Sequence, residues 1–276
     1  MIGRIGVCSW SLQPASPAEL ASGLRDLGAT GVQLALDPIR TGEWTLEATR
    51  EALSRAGVRI LSGMWAPIGE DYTSLESIRE SGGVRPDRHW HANLANAAAL
   101  ADIAATLEIN LVTLHAGFLP EGDGPERRTL VDRLQKVTDT FAGRNIRIAF
   151  ETGQETALTQ EGVLRDLNRP GVGINFDPAN MILYGTGEPL AALRSLAPHV
   201  VQAHIKDALP TQTPGTWGTE MRAGDGAVDW PTFLAVIESC PQTINLIVER
   251  EGGTTRAADI RHALALIAQH MPSSRQ

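Results

Sequence analysis

Two cysteines, Cys8 and Cys240, are all that the 276 residues contain. That is too few for a disulfide framework. Both stand in or beside apolar segments, as buried thiols do. No apolar run approaches the roughly 18 residues of a membrane span, and no signal peptide is visible, so the cytoplasm is the expected location. Basic residues are in deficit: 24 Lys and Arg against 32 Asp and Glu give a formal net charge of −8. Nucleic-acid affinity rests largely on clustered Lys and Arg, so a phosphate-backbone partner is not expected. A Gly-rich dinucleotide fingerprint is also missing, since Gly3 and Gly6 do not form one. What remains is ordinary for a water-soluble globular chain, with 42% hydrophobic and 20% charged residues, and the length suffices for one large α/β domain.

Four short apolar runs in the second half each end on a side chain able to bind a metal. They are Ile146 to Phe150 before Glu151, Val172 to Phe176 before Asp177, Val200 to Ala203 before His204, and Ile244 to Val248 before Glu249. They are spaced roughly 25 to 45 residues apart, as successive strand–helix units are. In a barrel of parallel strands every strand C-terminus opens on one face, so four residues distant in sequence would meet there. One acidic residue at a strand end is ordinarily a helix cap or a solvated charge. Four in succession, one His and three carboxylates, make an oxygen-rich site for one divalent metal, Mn, Mg or Co in preference to Zn. Alternation along the strands then turns Asn175 and Gln202 toward the barrel axis and Phe176 and Ala203 toward the helices.

Taken in order, the chain reads as eight strand–helix units. Strands are expected at residues 4–9, 31–36, 58–64 and 111–115, then at the four runs above. Helices are expected at 17–27 (with Ser16 as cap and Pro17 at the first position), 45–56, 89–107, 127–141, 155–167, after Asp229, and at 254–269. Residues 65–88 form a long polar stretch after the third strand, which in a compact domain is ordinarily a lid or binding loop. His89 and His91 begin the following helix as exposed or capping residues. The connection 208–228 is long and rich in Gly, Thr and Pro. The pattern places one (β/α)8 barrel domain over residues 1–276, with the tail after about 270 expected to fray. A doubly wound open sheet is the alternative.

The runs Phe150-Glu151-Thr152-Gly153, Asn175-Phe176-Asp177-Pro178-Ala179-Asn180, Ala203-His204-Ile205-Lys206-Asp207, Gly224 to Trp230 and Val248-Glu249-Arg250-Glu251 resemble the xylose-isomerase-like barrels. That group includes sugar phosphate isomerases and epimerases, ketose 3-epimerases, hydroxypyruvate isomerases, inosose dehydratases and endonuclease IV. The resemblance spans nearly the whole chain and is specific in its second half. It implies that Glu151, Asp177, His204 and Glu249 bind the metal. It also implies that Glu151 and Glu249 are the catalytic acid–base pair. Asp207 matches the family's His-x-x-Asp, as a substrate-positioning group or a turn cap. Arg222 falls where relatives place a substrate-binding Arg, or is a solvated loop charge. Asn180 stands where ketose 3-epimerases carry a His, and is counted with the substrate-contacting residues. His115, at the end of the fourth strand, either contacts substrate or is a core His. Trp10 and Trp65 follow the first and third strands; each either packs on a sugar face or fills the core.

The expected function is therefore a metal-dependent isomerase or epimerase of a keto-sugar or sugar phosphate, working through an enediolate. A lyase or dehydratase of a keto-sugar or inosose uses the same intermediate and stays open. A non-catalytic sugar-binding barrel is a third reading, and only seven histidines make a three-zinc nuclease a poor one. A small carbohydrate is the expected partner, with neither nucleic acid nor membrane; a homo-oligomer remains open.

Overall fold

The first strand, β1 (Ile2–Cys8), pairs in parallel with β2 (Gly31–Ala35), and the pairing continues through β3 (Arg59–Met64), β4 (Leu111–Leu114), β5 (Arg147–Glu151), β6 (Gly173–Phe176) and β7 (Val200–Ile205). Two short antiparallel strands follow, β8 (Asp207–Leu209) and β9 (Thr219–Met221), outside the barrel. The last strand, β10 (Ile244–Val248), pairs with both β7 and β1 and closes an eight-stranded parallel barrel. The open-sheet alternative is thereby excluded. The computed structural model describes residues 1–270. The tail expected to fray lies outside the described residues.

Helices begin where a short polar side chain can accept a free amide of the first turn. Ser16 caps α1 (Pro17–Asp26), with Pro17 at the first position. Beyond the short α2 (Asp37–Arg40), Thr45 caps α3 (Leu46–Arg55). The stretch 65–86 is not wholly irregular: Ser74 and Ser77 form a reciprocal capping box for α4 (Leu75–Ser81). Next come α5 (Asp87–Thr106) and α6 (Pro125–Ala142), then α7 (Ala157–Leu167) capped by Thr156. After β6 come α8 (Pro178–Tyr184), capped by Asp177, and α9 (Pro189–Leu196), capped by Glu188. Asp229 caps α10 (Trp230–Ser239), and α11 (Arg256–His270) ends the described chain. Near the start of α5, His91 is exposed and His89 is half-buried. None of the helices among the described residues is long and apolar enough to cross a membrane.

Two apolar clusters hold the barrel. The large one lies between strands and helices, and includes Phe176, which sits 6.0 Å from Phe233 of α10, as the alternation requires. The small one, Cys8, Leu61 and Ile247, plugs the barrel interior. Above it lies a polar layer. Ser62 Oγ donates to Gln202 Oε1 at 2.7 Å, Gln202 Nε2 to Asn175 Oδ1 at 3.1 Å, and Gln33 Nε2 to Thr113 Oγ1 at 2.8 Å. All five residues are buried, so each of these bonds offsets a desolvation cost of about 1–3 kcal/mol per group. The register of β6 on β7 shifts beside Val201, whose methyls lie 2.8 Å from where a Cβ on Gly173 would stand. Only a glycine lets these two strands close at that point.

Candidate metal centre and substrate pocket

Glu151 ends β5, Asp177 follows β6, His204 lies one residue before the end of β7, and Glu249 follows β10. All four are buried. One ligand atom from each lies within 4.8 Å of the others. The barrel brings together the four residues that the sequence pattern singles out.

Each side chain is oriented by neighbours. His204 Nε2 lies between Gln33 Oε1 at 2.8 Å and Asn175 Nδ2 at 3.0 Å. Nδ1 turns to the cluster. It faces Glu249 Oε2 at 3.3 Å, Asp177 Oδ2 at 3.4 Å and Glu151 Oε1 at 3.5 Å. Asp177 divides its labour: Oδ1 accepts the amide of Asn180 at 2.9 Å and caps α8, while Oδ2 points into the cluster. Glu151 accepts from Asn175 Nδ2 and Asn180 Nδ2, both at 2.9 Å. Glu249 accepts from Trp10 Nε1 at 2.7 Å, and its other oxygen lies 2.9 Å from Lys206 Nζ. Three carboxylates and one imidazole, each with an oxygen or nitrogen turned to a common point, are a fitting donor set for one hard divalent cation.

The electrostatics are uneven. Burial pushes the Glu151 carboxyl up to about 8, with Glu249 and Asp177 adding to the rise and His204 opposing it. Burial acts the same way on Glu249, but Lys206 and His204 reverse it and hold this carboxyl well below its usual range. Burial lowers His204, and Glu151 and Glu249 more than reverse that, so its imidazole titrates well above the ordinary value.

A cavity of about 460 Å³ opens above this cluster. Glu151, Glu249, His115, Asn180 and Trp10 line it. His115 Nε2 lies 3.6 Å from Glu151 Oε1, and burial holds its imidazole below the ordinary value. Trp10 contributes its indole N–H to Glu249 as well as its face to the cavity.

Three expected substrate contacts are corrected. Trp65 is fully buried, with its ring 6.5 Å from Phe141 of α6. Alternation explains this, for Met64 lines the cavity and the next residue must face the helices. Asp207 is fully buried away from the cavity lining, and its carboxylate accepts from the amides of Ala208, Gly224, Gly226 and Val228 and from Trp230 Nε1. It organises the connection after β7. Arg222 is spent on Asp225 at 2.8 Å on the surface.

Other lining residues escape the sequence reading. Lys206 is 3% exposed at its side chain and bridges Glu249 to Glu251 Oε2 at 2.5 Å. The signal was present, because Lys206 follows His204 by two along the strand and so shares its side. Glu70, Tyr72 and Trp217 come from the two long connections, and Tyr184 from the end of α8; no periodic pattern points to them.

Residues 22–270 match the family described as xylose isomerase-like TIM barrel. The uncharacterized protein YihM of Escherichia coli (strain K12) is 26% identical over 136 residues, covering 48% of this chain and 41% of that protein, so the match spans less than half of that relative. A xylose isomerase domain protein from Planctomyces limnophilus is 32% identical with a TM-score of 0.85, covering 90% of this chain and 91% of that one. Two more distant structures share the fold. The probable 3-DHS dehydratase AsbF of Bacillus anthracis is 16% identical, with a TM-score of 0.74 over 96% of this chain and 99% of that one. A D-allulose 3-epimerase from Methylomonas sp., in complex with D-allulose, is 17% identical, with a TM-score of 0.73 over 97% of each chain. With the family matched over most of its length, the chain belongs to the xylose isomerase-like TIM barrel family.

Proposed function

We propose that this protein is a divalent-metal-dependent isomerase or epimerase of a keto-sugar. The observation that carries the reading is the buried Glu151–Asp177–His204–Glu249 cluster beneath an open cavity. These four residues would hold one Mn, Mg or Co ion, preferred to Zn because three of the four donors are hard oxygens. When bound, the ion would act as a Lewis acid on a substrate carbonyl and its adjacent hydroxyl. Glu249, ion-paired with Lys206, removes the proton from the carbon beside the carbonyl, and Glu151 returns one. Asn180, bonded to Glu151 and to Lys206 Nζ at 3.3 Å, keeps the two carboxylate arms in register.

Solvent-deuterium exchange tests this. The metal-loaded protein incubated with keto-sugars should wash deuterium into the carbon beside the carbonyl. Glu151→Gln and Glu249→Gln, with metal content measured in parallel, should each lose about 100- to 10,000-fold in turnover, the range of a general acid–base group. Near wild-type turnover in both variants at normal metal content would remove the proton-transfer role.

His115 favours a second reading, a dehydratase. Its neutral imidazole lines the cavity with Nε2 3.6 Å from Glu151, so it can accept the proton from the carbon beside the carbonyl while Glu151 gives one to the departing hydroxyl. Product mass separates the two, since dehydration loses a water and isomerisation conserves mass.

A further inference from the structure

The chain is poor in aromatic residues, at 5%, and has only two tyrosines. Both tyrosines, Tyr72 and Tyr184, line the one cavity above the metal cluster, together with Trp10 and Trp217. Tyr184 and Trp217 meet edge-to-face at 4.8 Å, and Phe118 lies 5.8 Å behind Tyr184. This wall is held in place. The Gly218 amide donates to Leu183 O at 3.1 Å, and a Cβ at Gly218 would stand 2.6 Å from Leu209 O of β8 and 3.1 Å from Leu183 Cα of α8, so the chain passes this closely between the two only as glycine. Trp217, one residue earlier, is thereby fixed over the end of α8. None of these aromatics touches the metal-binding residues through a hydrogen bond, save Trp10.

The charges on the cavity wall point the same way. Asp37, Glu70, Glu151, Glu249 and Glu251 line it, against a single cation, Lys206. Lys206 is already spent between two carboxylates. Arg222 is bound to Asp225, and Arg79 lies with its guanidinium 4.7 Å over Phe118, outside the lining. Even with a divalent ion at the floor, the formal charge of the lining stays negative. A phosphate group, with about two negative charges at neutral pH, finds no guanidinium fork here. The outer carboxylates are themselves occupied: Asp37 by Arg40 and the Ala66 amide, Glu70 by the Gly83 amide and the Tyr72 hydroxyl. That leaves them no call for a cationic substrate either.

We propose that the pocket takes an uncharged ketose bearing a second ring, a glycoside or disaccharide, whose added ring stacks on Tyr184 and Trp217, and that it rejects sugar phosphates. The inference rests on the reading of this cavity as a sugar site. A volume of about 460 Å³ falls among pockets that enclose ligands larger than one sugar ring. Indole and phenol faces supply rigid apolar surface for the C–H face of such a ring.

The test compares three probes that differ at one oxygen. D-fructose, D-fructose 6-phosphate and isomaltulose carry hydrogen, phosphate and a glucosyl ring there. Calorimetric titration of the manganese-loaded full chain should rank isomaltulose about fivefold to tenfold tighter than fructose, one aromatic contact's worth, and the phosphate weakest. In Trp217→Ala the preference for isomaltulose over fructose should fall to within about twofold. The Tyr184→Leu variant should reduce the same ratio, so a folding defect in one variant does not decide the matter. Isomaltulose binding no tighter than fructose, or the 6-phosphate binding as well as fructose, overturns the proposal. Binding is read without turnover. A correct ranking without deuterium exchange therefore contradicts only the enediolate chemistry, whereas exchange with the reverse ranking contradicts only the subsite.

Discussion

Glu155 follows the strand that delivers Glu151 by four residues, is buried, and is pushed up to about 8 by that burial alone. Its folded-state value thus lies above the ordinary 4.5, so the folded protein holds this proton more tightly than the unfolded chain. The stability contributed by the neutral form is complete below pH 4.5 and is lost as pH rises through about 8. Glu155→Gln should remove that slope, raising the melting temperature at alkaline pH, by about 5 kcal/mol at most, and changing it little in acid. A variant equally stable to the wild type at both ends of the range would show that Glu155 reaches solvent or a partner. At this scale the sequence was readable wherever strand alternation applied. Alternation places Asn175, Gln202 and His204 inside the barrel, and it could have assigned Lys206 to the site and Trp65 to the core. It says nothing about partners, so Asp207 and Arg222 read alike as polar loop residues, although one organises a loop and the other pairs on the surface.

The connections are the elements that vary from one barrel to another, and here two of them shape the pocket. The stretch after β3 brings Glu70 and Tyr72 over the site and is stiffened by α4 and its capping box. The connection between β7 and α10 is pinned by one carboxylate, that of Asp207, which satisfies four backbone amides and an indole. Asp207→Ala would leave those buried donors unpaired, at about 1–3 kcal/mol for each one that water cannot reach. The variant should melt at a markedly lower temperature, and limited proteolysis should cut first within residues 210–218. Uniform loss of stability, with no preferred cleavage in that connection, would mean that Asp207 supports the barrel as a whole. Loop length and composition announced these two connections in the sequence. Which of their side chains turn toward the cavity was not legible, since irregular backbone has no period from which to read a face.

The whole molecule does one thing that no part of it can: the closed barrel carries four strand ends, spread over about a hundred residues of sequence, to a single point. The barrel and the four residues it gathers at one point were the most legible features, because both follow from apolar runs that end on a polar residue. The aromatic wall was the least legible, because Tyr184 and Trp217 meet only through the tertiary fold. The central claim is that those four ends hold one divalent ion, and elemental analysis tests it most directly. The purified chain, dialysed against a mixture of manganese, magnesium, cobalt and zinc salts, should retain one equivalent of metal. His204→Ala and Asp177→Ala, confirmed as folded by circular dichroism, should retain almost none. Full metal content in both folded variants would contradict the account.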